Sequence, residues 1–174
     1  MERIARFYKV SFERFCADWS ETFGEESEER IRAIYDGIRL PVRATAGSAG
    51  YDFHLPLPIV LQPGETIKIP TAVRAEICEG WVLQIYPRSS LGFKYRLQLN
   101  NTVGIIDSDY FYSDNEGHIF IKVINASREG KTVELQKGMS FAQGIFLPYG
   151  ITEDDDCETL RNGGFGSTDR LAER

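Results

Sequence analysis

Between Ser11 and Ile38 the apolar positions return every three or four residues. Phe12, Phe15, Cys16, Trp19 and Phe23 fall on one stripe, the spacing of an amphipathic helix. Ser11 stands where an N-cap hydroxyl would accept the first free amides. A second stripe, Ile31, Ile34, Tyr35 and Ile38, follows Ser27. Glu28 and Glu29 would lie in its first turn, where carboxylates favour the positive helix end, and Gly37 marks its close. The pattern predicts two short helices. Their aromatic stripe reads as packing, because a docked helix needs that spacing in any case.

From Pro41 the period changes to two. Val73, Ala75 and Ile77 alternate with Arg74 and Glu76, and Leu97 and Leu99 with Arg96 and Gln98. Turn signals fall at Pro63-Gly64, Glu79-Gly80, Asn115 to Gly117, Glu129-Gly130 and Lys137-Gly138. Many short strands at close spacing predict an all-β core, an antiparallel barrel or jelly roll. Ile119 to Ile124 is apolar apart from Lys122, the pattern of a strand buried on both faces. The tail is acidic from Glu153 to Asp156 and Gly-rich from Arg161 to Thr168, with too little apolar content for a core element. The expected division is a helical N-terminal extension over 1–40, a β-barrel over 41–152 and a flexible Gly-rich C-terminal arm over 153–174.

Composition narrows the function. The 174 residues are 42% hydrophobic and 26% charged, ordinary for one globular domain. No apolar run approaches the roughly 18 residues of a membrane span, and Met1 to Lys9 carries no apolar signal core. Three widely spaced cysteines, Cys16, Cys78 and Cys157, suggest neither disulfides nor zinc, and a reduced, cytoplasmic setting is expected. The formal charge of −6 argues against general attraction to nucleic acid or an anionic membrane. An anionic ligand would need a local basic pocket, which favours a small phosphorylated substrate.

P-loop and dinucleotide-binding glycine signatures are absent, and Ser89-Ser90 lacks the surroundings of a hydrolase nucleophile. His54 and His118 have no metal-ligand spacing and are expected in loops or at strand edges. Four segments remain that a bare fold does not need. Ala46–Phe53 is Gly-rich and ends on Asp52-Phe53. Pro87–Gly92 sets an arginine fork beside two hydroxyls, suited to phosphate oxygens. Asn101–Tyr110 ends an apolar run with Asp107 and Asp109, which strand alternation would send to one side. The Gly-rich tail offers backbone amides, hydroxyls and an aromatic face that could wrap an oligophosphate and stack a base.

The order of these segments resembles the homotrimeric dUTPase (deoxyuridine triphosphate nucleotidohydrolase) family. The resemblance runs from about Leu40 to Thr168 and includes five motifs: Ala46–Phe53, Pro87–Gly92, Gly104–Tyr110, the weaker Lys137–Gly144, and Arg161–Thr168. It implies a distorted antiparallel barrel of the dUTPase type that hydrolyses dUTP to dUMP and pyrophosphate with Mg²⁺. It also implies a homotrimer whose pockets are each shared by three chains.

By the same resemblance Asp107 orients and deprotonates the attacking water; aspartates are ionised at neutral pH but are weak bases, so placement would carry most of the effect. Arg88, Ser89, Ser90 and Gln143 match phosphate-contacting positions. Asn101, with Gly104 and Ile106, belongs to the uracil slot, which would reject cytosine and thymine by pairing and shape. Tyr110 matches the aromatic under the deoxyribose, with core packing as its competing role. Asp52 is either an outer-shell partner of the metal, through water, or a turn cap. The arm would act as a lid, Phe165 and Gly166 over the base and Arg161, Ser167 and Thr168 on the outer phosphates.

Departures from the family pattern are Ser90 in place of Gly, Arg161 one residue nearer the glycines, Asp169 in place of the final Gly, and a longer loop over 111–117. One alternative is a related dCTP deaminase, but Lys122 falls where that enzyme needs a glutamate. Another is a catalytically weak regulatory or binding module, since phage members of the family bind repressor proteins. A protein regulator would then be a further partner.

Overall fold

The computed structural model describes residues 2–159. Strand β1 (Ala5–Lys9) precedes helices α1 (Phe12–Phe23) and α2 (Glu28–Asp36). Strands β2 (Val42–Arg43), β3 (Tyr51–His54), β4 (Ile59–Leu61), β5 (Thr66–Pro70), β6 (Val73–Ile77) and β7 (Trp81–Pro87) follow. A short helix α3 (Ser89–Tyr95) leads to β8 (Leu97–Leu99), β9 (Gly104–Ile106) and a single 3₁₀ segment, Ser108–Tyr112. The last strands are β10 (Phe120–Asn125), β11 (Val133–Leu135) and β12 (Ser140–Pro148).

Both expected helices form, and for the expected reason. The Ser11 side chain accepts from Arg14 N–H at 3.1 Å, and Ser27 does the same for Arg30 at 3.3 Å. The extension is not wholly helical, however. The alternating Arg6, Phe7, Tyr8 and Lys9 form β1, which pairs antiparallel with β6 (Phe7 opposite Ala75). Short length and interleaved charges hid this strand from a reading based on apolar runs.

Every strand pair is antiparallel. The largest sheet has the order β2-β3-β12-β7-β9, and β5-β10-β8 and β4-β11 complete the body. Each of the five predicted turns carries a glycine at positive φ: Gly64, Gly80, Gly117, Gly130 and Gly138. The core gathers Phe53, Ile69, Leu83, Ile85, Ile121 and Phe141, all essentially inaccessible. β10 is not buried on both faces as its composition suggested. Ile121 and Val123 point inward, Phe120 and Ile124 are half-covered, and Lys122 is exposed. A second cluster joins Val10, Phe12, Phe15, Trp19 and Ile31 to Ala72 at the corner between β5 and β6. The extension is therefore docked on the barrel. Among the described residues no helix is long and apolar enough to cross a membrane.

Candidate active site

The central strand of the large sheet gathers three of the expected segments. β12 lies between β3 and β7, so Gln143 is opposite Asp52 on one side and Tyr86 on the other. A bulge at Phe141 shifts the β12–β3 register between Ser140 and Ala142. The Gln143 side-chain amide donates to the Pro87 carbonyl at 3.1 Å. One residue further, the Arg88 guanidinium lies 3.3 Å from the Asp52 carboxylate. A side chain at Gly50 would run into the Gln143 amide, so the glycine keeps that side chain in its place.

Ser89 and Ser90 are exposed on the first turn of α3. Pro87, Arg88, Ser89, Gly92 and Phe93 line a shallow hollow of about 300 Å³, with Phe93 almost fully exposed. A larger open cleft of about 770 Å³ borders the Ala46–Ala49 loop, floored by Tyr51, Trp81 and Phe146 and flanked by Arg43. Arg88, Asp52 and Gln143 are not among its walls.

In the sequence His54 has no ligand spacing. It is two residues from Asp52 on the same strand, hence on the same face. Burial first, and then the Arg39 charge, hold its imidazole below the usual histidine range, against the opposing pull of Asp52. Its Nδ1 is buried without a hydrogen-bond partner. Period-two alternation from Asp52 was the signal that could have found it.

The third expected segment is elsewhere. β9 runs antiparallel to β7, with Ile106 opposite Leu83 and Gly104 opposite Ile85. A side chain on Gly104 would come to 3.1 Å from the Ile85 Cβ, so the close approach of the two strands favours the glycine. Extending the register by one residue sets Asp107 opposite Val82, at the far end of β7 from Arg88. Six residues of strand at about 3.3 Å each separate the two levels by about 20 Å. Within one chain the carboxylate and the guanidinium belong to opposite ends of the sheet.

Strand alternation does not set Asp107 and Asp109 on one side, because the strand ends at Ile106. Asp107 caps the 3₁₀ segment in an extended conformation, and Asp109 lies inside its first turn. Asn101 and Thr102 are exposed in the turn joining β8 to β9, where Thr102 takes a positive φ of 69°. Ile106 is buried.

Tyr110 is only 3% exposed. Its hydroxyl donates to the His118 carbonyl and accepts from the Asn115 amide, both at 2.8 Å. Core packing, the competing role for Tyr110, is what the single chain displays. His118 lies outside any helix or strand, in the loop that leads into β10, as expected, but it is completely buried there, 2.5 Å from Asp18 of α1. Arg161, Phe165, Gly166, Ser167 and Thr168, with Asp169, lie outside the described residues.

The fold and site together are those of an antiparallel, mostly β protein that sets an arginine–carboxylate pair, a glutamine and two exposed serines at one sheet end. The particular family follows from comparison: the dUTPase family model matches residues 36–169, and the chain belongs to that family. A deoxyuridine 5'-triphosphate nucleotidohydrolase from Lactococcus lactis is 42% identical over 135 residues, spanning 76% of this chain and 89% of the relative. The crystal structure of dUTPase from Streptococcus mutans superposes with a TM-score of 0.58 at 39% identity, over 66% of this chain and 88% of that one. A dUTPase variant from phage phi11 of S. aureus, described with a structural Mg(II) ion, gives 0.56 at 25% identity, over 70% and 90%. The family match begins at residue 36, so β1, α1 and most of α2 stand outside it.

Proposed function

We propose that the protein hydrolyses dUTP to dUMP and pyrophosphate at a site shared between copies of the chain. One observation carries this reading. Asp52, Arg88 and Gln143 meet at one end of the large sheet, while Asp107 of the same chain is at the other end. A second copy has to bring its own Asp107 segment to the Arg88 end. Exposed apolar residues on the sheet edges and on α3 favour such assembly: Val42 on β2, Ile105 on β9 and Phe93.

In the proposed reaction a water oxygen bonds to the α-phosphorus, and the bridging oxygen leaves with pyrophosphate. Asp107 orients that water and takes its proton. Arg88 turns from Asp52 to the phosphate oxygens as a charge-assisted fork, joined by Ser89, Ser90 and Gln143. Asn101, Gly104 and Ile106 form the uracil slot, and Tyr110 meets the deoxyribose. The arm residues Arg161, Phe165, Gly166, Ser167 and Thr168 close over the nucleotide from a third chain.

A magnesium ion would find a single carboxylate here, since no cluster of three or more His, Cys, Asp or Glu side chains suited to a metal lies among the described residues. Asp52 is a hard oxygen donor beside the phosphate-binding guanidinium, and Mg²⁺ keeps several waters rather than demanding a full protein cage. Asp52 would hold it through water, and the ion would supply charge neutralisation on the phosphate oxygens. A deaminase reading is disfavoured by Lys122, which points to solvent from β10.

Pyrophosphate release from dUTP by the native protein and by Asp107→Asn tests the proposal. The substitution should lower kcat by about 10²–10⁴-fold, the range for a positioned general base. Equal release from the variant would overturn the role of Asp107, and ammonia release from dCTP would overturn the substrate.

A further inference from the structure

Residues 107–118 and the N-terminal extension are joined more closely than packing alone requires. Glu116 accepts from both the amide and the hydroxyl of Ser11, the α1 cap, at 2.7 and 2.5 Å. The Arg74 guanidinium lies 3.9 Å from the same carboxylate and donates to the Phe111 carbonyl at 2.6 Å. The rings of Tyr8 on β1 and Phe111 are 5.8 Å apart. Asp18, one helical turn and more along α1, is buried between Arg14, which holds it with two hydrogen bonds, and His118.

His118 is fixed from both sides. Its Nε2 accepts the Ala72 amide at 2.8 Å, so the proton is on Nδ1 and is donated to Asp18. Ala72 is itself a buried residue at positive φ whose carbonyl accepts the Val10 amide at 2.9 Å. From His118 the contacts continue inward. Its carbonyl accepts the Tyr110 hydroxyl, and the Tyr110 amide donates to the Asp107 carbonyl at 3.2 Å. A continuous set of hydrogen bonds thus runs from Asp18 to the backbone of Asp107.

We propose that Asp18, Glu116 and His118 are positioning residues for Asp107, and that the extension outside the family match serves to hold the water-orienting carboxylate in register. This rests on the reading of Asp107 given above. The grip differs from general stabilisation in one respect: its loss should act mainly on the chemical step through Asp107 and leave phosphate binding by Arg88 and Gln143, at the other sheet end, in place.

The test measures kcat and KM for dUTP, affinity for a non-hydrolysable dUTP analogue, and thermal unfolding in the full chain. Glu116→Ala changes a partly exposed loop side chain and is the main variant, with Asp18→Ala as the second. Asp18→Asn, which retains an oxygen for the His118 proton, is the conservative rescue. Glu116→Ala and Asp18→Ala should lower kcat at least tenfold and by a larger factor than they weaken analogue affinity, and Asp18→Asn should restore most of the rate. In an Asp107→Asn background the same substitutions should have no further effect. Folded variants with undiminished kcat, or losses that multiply with that of Asp107→Asn, would overturn the inference and leave the proposed function standing. An Asp107→Asn protein as active as the native one would overturn both.

Discussion

A side chain on Gly117 would lie 2.7 Å from both the Phe111 Cα and the Tyr110 carbonyl oxygen, and the residue has a φ of 68°. Backbone obstructs it on one side and left-handed geometry strains it on the other. Gly117→Ala should destabilise the protein by about 1–3 kcal/mol, read as a lower urea midpoint with an unchanged slope. An unaltered midpoint would mean that the loop tolerates a different path. Individual residues were legible in the sequence where local chemistry decides them. Gly117 and the other four turn glycines, and the caps Ser11 and Ser27, followed from neighbours a few positions away. His118 did not, because its partners Asp18 and Ala72 are remote in the chain.

At the scale of elements, the same contrast separates α1 and α2 from β1 and α3. The helices carry strong stripes and caps, whereas β1 is five residues of interleaved charge and α3 is seven residues without a side-chain cap. Strand alternation failed for Asp107 and Asp109 because nothing in an apolar run tells where the strand stops. The buried junction of α1 with the barrel has a pH signature. Desolvation holds His118 below the ordinary histidine range despite Asp18, with Arg14 also lowering it and Glu116 raising it. The folded state therefore binds fewer protons than the unfolded state. This contribution is complete above about pH 6.5, the free-histidine value, and declines as the pH falls below it. Glu116 is lowered too, burial being outweighed by the Ser11 bonds and Arg74, so its share persists until the carboxylate range and is lost there. Urea midpoints at pH 7.5 and 5.5 should drop for the native protein and drop less for His118→Asn, which keeps a donor towards Asp18. Identical changes in the two proteins would remove His118 from the account.

For the molecule as a whole, the five-stranded sheet sets Arg88 and Asp107 at opposite ends, and this is the feature no sequence pattern could supply. The motifs were legible one by one; that three of them converge within a chain and the fourth does not is a consequence of β12 lying between β3 and β7 while β9 lies on the edge. A single 19.7 kDa chain should therefore assemble, and light scattering should return a trimer of about 59 kDa, three chains closing a cyclic ring. A monomer with full activity would be incompatible with a shared site.

Subunit complementation tests the shared site most directly. Arg88→Ala and Asp107→Asn proteins, each inactive alone, are mixed in equal amounts, unfolded and refolded together. If Arg88 comes from one copy and Asp107 from the next, every mixed ring holds one intact site in three. With about three quarters of rings mixed by random association, close to a quarter of native dUTP hydrolysis should return. If both residues served one pocket within a chain, every pocket in the mixture would lack one of them, and activity would stay at the level of the separate variants.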